Sequence, residues 1–168
     1  WQDQVLDVRA APGGTARIYG RGNAKRWAWL HADLGRGDVC EVVAATSTRR
    51  GLSVLPPLPF VRLRVAGGEW PPGDPLIGAL RMRAHIDLPT WTVRGRRKDR
   101  LIRVDVTQPP GETVTVNYTD PDGAPAVCRN TERAHAVITL QRRTWLGWEI
   151  ARRWELHGTA HAEVGTRE

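Results

Sequence analysis

From Trp27 to Leu34 the chain alternates: Trp27, Trp29, His31 and Asp33 stand between Ala28, Leu30, Ala32 and Leu34. A period of two sends successive side chains to opposite faces of a β-strand. Gly35-Arg36-Gly37-Asp38 then reads as a turn and Val39 to Ser47 as the returning strand of a hairpin. Similar short strands are predicted at Val5–Ala10, Thr15–Tyr19, Phe60–Val65, Arg81–Leu88, from Trp91, at Leu101–Thr107 and at Thr113–Thr119. Ala126–Arg129, Ala134–Gln141, Trp148–Leu156 and Thr159–Val164 complete the series. Glycine and proline mark the breaks between them, at Pro12-Gly13-Gly14, Arg49-Arg50-Gly51, Gly67-Gly68, Gln108–Gly111 and Asp120–Gly123. Pro56 to Pro59 rules out a central strand there. Leu76–Leu80 reads as one helical turn, and Trp145–Trp154 is the one other stretch where a helix competes with a strand.

Short strands at regular spacing with short connections argue for an all-β, antiparallel barrel or sandwich, of which a barrel of about 8–10 strands is expected. Residues 1–168 are read as one domain, long enough to bury a sizeable core. A closed barrel removes sheet edges, and one of this size can hold a small ligand. The phase that puts two indoles and an imidazole on one face of the Trp27 strand suggests a pocket wall.

A formal charge of +7 raises nucleic acid or anionic membranes as partners. Lys25 and Lys98 are the only lysines, and the arginines are spread along the chain, so neither partner is expected. The densest run, Arg94 to Arg100, reads as a solvated hairpin tip. No run of eighteen apolar residues is present, so no membrane span is expected. No basic segment followed by an apolar one precedes the first strand, which points to a cytoplasmic location. Trp1 in place of Met suggests a processed chain or a piece of a longer one. Cys40 and Cys128 have no zinc-ligand spacing and read as reduced thiols.

The candidate chemistry lies mainly in the first hairpin. Trp27 and Trp29 offer apolar walls and a π-face that can stabilise positive charge. His31 can move a proton near neutral pH. Glu41, with Val39 and Val43 on its face, is the candidate acid, competing with a simple pairing to Arg62 or Arg64. Tyr19, Asn23, Asn130 and Glu132 are further candidate ligand contacts, each with strand-end hydrogen bonding as the alternative. His161 and Glu163 share a face of the last strand. Their H-x-E pattern lacks the cysteine pair of a zinc deaminase, so no metal site is expected. Phosphate-cradling loops, nucleotide-binding glycine fingerprints, nucleophile elbows and H-E-x-x-H are all absent from the sequence.

Three segments carry a resemblance: Y-G-R-G-N-A-K-R-W-A-W (Tyr19–Trp29) with the G-D-V-C-E-V-V strand after it, A-V-C-R-N-T-E-R-A (Ala126–Ala134), and G-T-A-H-A-E-V-G (Gly158–Gly165). Together they resemble the lipocalin-like proteins grouped with tocopherol cyclase and hydroxyneurosporene synthase. The likeness covers one barrel, similar to the C-terminal of the two such proteins usually carry. The family commonly has Asn-Trp after the Tyr-Gly pair, where this chain has Asn23-Ala24. The resemblance implies a pocket for a small hydrophobic, terpenoid- or polyketide-like molecule. It also implies cyclisation or isomerisation in specialised metabolism without a cofactor. A non-catalytic carrier is the alternative, and a second barrel domain or a homo-oligomer is the expected protein partner.

Overall fold

The computed structural model describes Val5, Asp7 and residues 24–167. Tyr19, Asn23 and the strand expected at Thr15–Tyr19 lie outside the described residues, as does most of the strand expected at Val5–Ala10.

The first hairpin forms where the alternation places it, as β1 (Arg26–Gly35) and β2 (Asp38–Thr46). Gly35, Arg36 and Gly37 all have positive φ, a conformation that glycine adopts without a steric cost. β3 (Leu58–Val65) and β4 (Gly68–Trp70) turn at Ala66-Gly67, and α1 (Pro75–Ala79) follows. Asp74 caps α1 by accepting from Leu76 N at 2.7 Å, with Pro75 in the first turn. β5 (Met82–His85), β6 (Thr90–Arg97) and β7 (Arg100–Thr107) precede a 3₁₀ turn at Pro110–Glu112. β8 (Val114–Thr119) leads into a long hairpin of β9 (Pro125–Thr144) and β10 (Gly147–Arg167).

The last four expected strands are therefore two continuous ones, and Trp145–Trp154 is not helical. Register shifts at Leu156/Ala160 and Ala160/Ala162, with Gly158 at φ 68°, kink the hairpin without ending it. Its two halves can thus meet different neighbours: β9 pairs β8 over one stretch and β7 over another, while β10 pairs β1 beyond the kink. Pro59 lies inside β3, but β4 pairs only with Leu63–Val65, so the proline interrupts no second ladder.

All pairings are antiparallel within one 10-stranded sheet, ordered β4-β3-β2-β1-β10-β9-β7-β6-β5 with β8 beside β9. The protein is all-β, as the alternation predicts. The sheet curls until side chains from both of its ends enter one core, with Leu63 of β3, Met82 of β5 and Trp91 of β6 packed alongside Leu30, Val42, Ile102 and Ile138. Among the described residues no ladder joins β3 or β4 to β5. The seam closes instead by packing of β3 against β5 and of α1 against both.

The inner surface is close-packed. Ala28, Leu30 and Ala32 of β1 and Cys40, Val42 and Ala44 of β2 are fully buried on it. Gln108, the buried amide in this interior, has its hydrogen bonds met. Its Oε1 accepts from Trp91 Nε1 at 3.3 Å, and its Nε2 donates to the carbonyls of Arg129 (3.1 Å) and Ala162 (3.4 Å).

Candidate functional site

The phase of β1 decides where the site is. Ala28, Leu30 and Ala32 take the packed interior, so Trp27, Trp29 and His31 stand on the opposite face of the sheet. The barrel-interior wall expected for the indoles and His31 is thus corrected: small residues fill that side and leave the large rings outside it. The register extends their face across the neighbouring strands in three rows.

One row runs Arg62, Glu41, His31, His161. The next runs Phe60, Val43, Trp29, Glu163, Asn130, Val114. The third places Ala45, Trp27, Gly165, Cys128 and Val116 side by side. All eight candidates within the described residues, Trp27, Trp29, His31, Glu41, Asn130, Glu132, His161 and Glu163, are brought to this face or its margin.

Polar contacts tie the rows together. Trp27 Nε1 donates to Glu163 Oε1 at 3.0 Å, and the Cys128 thiol faces Glu163 Oε2 at 3.6 Å. The Trp27 ring lies over Gly165, where a β-carbon would overlap it, so glycine is what lets the indole lie flat. Asn130 Nδ2 is 3.0 Å from His161 Nε2, and His161 Nδ1 is 3.2 Å from Glu132 Oε1. Where the Asn130 amide donates, Nε2 of His161 accepts and Nδ1 carries the ring proton. The Trp29 ring meets His161 edge-on at 4.6 Å between centroids and stacks with His31 at 6.4 Å.

His31 is held differently. Its Nδ1 is 3.4 Å from Glu41 Oε1, close enough for charge attraction. It is not aligned for a hydrogen bond, so Nδ1 is a buried ring nitrogen without a hydrogen-bond partner. Glu41 also faces Arg62 at 3.7 Å, and Arg62 bonds Glu69. Val43 shares its face as the alternation predicts, but the cross-strand partners of Glu41 are His31 and Arg62, so the arginine pairing offered as the alternative is the one formed.

Burial disfavours the reactive thiolate at both cysteines. Burial, then the charge of Glu163, pushes Cys128 up to about 12. Burial, then Glu41, pushes Cys40 up to about 12 as well. Both are free thiols, and they lie on opposite faces of the sheet, which rules out a bond between them.

Beside Trp29 and Glu41 the face falls into an open hollow of about 480 Å³. Val43, Phe60, Trp70 and Pro71 give it apolar walls, and Glu41, Arg62 and Glu69 a charged margin. The indole N–H of Trp70 is buried with no partner. Phe60, Glu69 and Trp70 were not among the sequence candidates, and Arg62 entered only as a pairing partner for Glu41. The alternation of Phe60–Val65 placed Phe60 and Arg62 on one face, but only the β2–β3 register sets them opposite Val43 and Glu41.

Fold and site together describe a curled antiparallel sheet with an aromatic, acid-and-histidine face beside an apolar hollow. The chain belongs to the family described as Tocopherol cyclase-like, whose model matches residues 1–166. It is similar to two proteins of Mycobacterium tuberculosis. Uncharacterized protein MT0513 of strain CDC 1551 / Oshkosh and Uncharacterized protein Rv0493c of strain ATCC 25618 / H37Rv are each 52% identical over 157 residues. Those alignments cover 92% of this chain and 44% of each relative, so the chain spans less than half the length of these relatives. No solved structure matches it significantly.

Proposed function

We propose that the Trp29 face binds a small hydrophobic, terpenoid- or polyketide-like molecule and promotes its cyclisation or isomerisation without a cofactor. The observation that carries this reading is the convergence of His31, Glu41, His161 and Glu163 around Trp29, at the edge of an apolar hollow. A carrier needs the hollow alone; several titratable groups facing one aromatic ring favour chemistry over carriage. The family membership supports a cyclase-type enzyme.

In this reading the hollow holds the substrate in a folded shape, so that the conformational freedom given up on binding need not be lost in the reaction step. Trp29 lies against the reacting segment and stabilises developing positive charge through its π-face. His31, whose Nδ1 has no hydrogen-bond partner, moves the proton, and Glu41 stabilises the imidazolium that results. His161, already engaged by Asn130 and Glu132, orients rather than transfers. Residues 1–168 act as one lipocalin-like domain, and the exposed Val43, Val114 and Val116 around the site suit cover by a second barrel or another copy.

Native mass spectrometry of the chain incubated with a cellular lipid extract tests the binding. A retained small molecule that is lost in Trp29→Ala is the expected result. Turnover of that molecule should fall at least tenfold in His31→Asn and in Glu41→Gln, with binding retained. If nothing is retained, or both variants react at the parent rate, the proposal fails.

A further inference from the structure

Away from that face, two hairpin tips end side by side. Arg100 of β7 pairs with Arg142 of β9, and Arg143 N donates to Asp99 O at 2.8 Å. The β9–β10 tip leaves Trp145 92% and Leu146 75% exposed, and Ile150 on the following strand is 57% exposed. A turn by itself calls for glycine, asparagine or aspartate, not an indole followed by leucine. Large apolar side chains held in water at a tip indicate something that covers them.

The sheet surface behind this tip is cationic. Arg83, Arg94 and Arg103 stand directly opposite one another across β5, β6 and β7. Like charges in facing positions repel. Among these three, Arg103 has a carboxylate partner, Asp105 at 2.7 Å, while Arg83 and Arg94 have none among the described residues. The row borders a hollow of about 360 Å³ that also takes in His85 and Thr92. Nearer the tip, the Arg96 guanidinium lies 6.0 Å from the centroid of the Trp148 ring. Strand register thus brings Arg83, Arg94 and Arg103, separate in the sequence, into one row.

We infer that this end of the molecule docks on an anionic phospholipid surface. Trp145 and Leu146 enter the boundary between headgroups and acyl chains, where an indole is favoured for its apolar ring and polar N–H. The Arg83–Arg94–Arg103 row takes up headgroup phosphates, which relieves its own repulsion and adds attraction to the negative surface. A nucleic acid fits less well, because Trp145 is the one largely exposed ring at the tip, and Leu146 and Ile150 beside it offer none on which a second base can stack. Among the described residues no helix is long and apolar enough to cross a membrane. This inference is independent of the reading of the Trp29 face.

Flotation of the full 168-residue chain with vesicles tests it. Vesicles of phosphatidylcholine mixed with phosphatidylglycerol should carry the protein up, and phosphatidylcholine alone should not. Binding should weaken as salt is raised. The double variant Trp145→Ala/Leu146→Ala, at exposed positions and with unchanged circular dichroism, should bind about tenfold more weakly. Arg94→Gln should cost roughly fivefold. Absence of binding, equal binding to both vesicle types, or parental binding by the double variant would overturn the inference. So would a short nucleic-acid duplex that displaces the vesicles and loses its own binding in the same variants.

Discussion

Cys40 shows how far one side chain's behaviour follows from its face of the sheet. It sits on the inner side of β2, fully buried, opposite Ala32 and Leu63. Burial keeps its proton on: the folded thiol is raised to about 12 from 9.0. Below pH 9 both folded and unfolded chains hold that proton, and stability does not depend on it. Between pH 9 and 12 only the unfolded chain releases it, so stability falls as pH rises, by at most about 1.4 kcal/mol per pH unit. Denaturant titrations should therefore show a shallower loss above pH 9 in Cys40→Ala than in the parent; identical slopes would contradict this. Iodoacetamide at pH 8 should leave Cys40 unlabelled in the native protein and label it after unfolding.

At the level of the strand, everything turns on phase. The alternation of β1 was fully legible in the sequence, and so was the face that Trp27, Trp29 and His31 share. Which of its two faces is the interior was not. A period of two is satisfied either way, and large rings read more readily as a wall than alanines do. The fold resolves it through neighbours: the partners of Ala28, Leu30 and Ala32 are Ala44, Val42 and Cys40, a combination compact enough to pack against Trp91 and Ile102. The pairing of Glu41 with Arg62 was legible as the alternative to an acid role, whereas the contacts of Glu163 were invisible, because they depend on register between segments far apart in the chain. The two faces should respond differently to truncation. Leu30→Ala opens the core and should cost about 2–5 kcal/mol. Trp29→Ala, on the half-exposed face, should cost clearly less stability while abolishing retention of a hydrophobic ligand. Thermal melts of the pair measure this, and a larger loss for Trp29→Ala would place the core on the other side of β1.

Over the whole molecule, the curl has one weak line. Everywhere else neighbouring strands are joined by ladders, but along the described chain β3 and β5 meet through side chains, with α1 laid against both. A seam held by packing opens more readily than one held by a row of backbone hydrogen bonds, because each contact there can be lost singly. α1 is only five residues long, too short to persist on its own propensity, so its start depends on the Asp74 cap and Pro75. Asp74→Ala removes the bond to Leu76 N and should lower stability by about 1 kcal/mol. If α1 fastens the seam, that loss is local: amide hydrogen exchange should accelerate in β5 and in the β3–β4 turn, and stay unchanged in the β9–β10 hairpin. Uniform acceleration across all strands would mean that the curled sheet opens as one unit and that α1 merely rests on it.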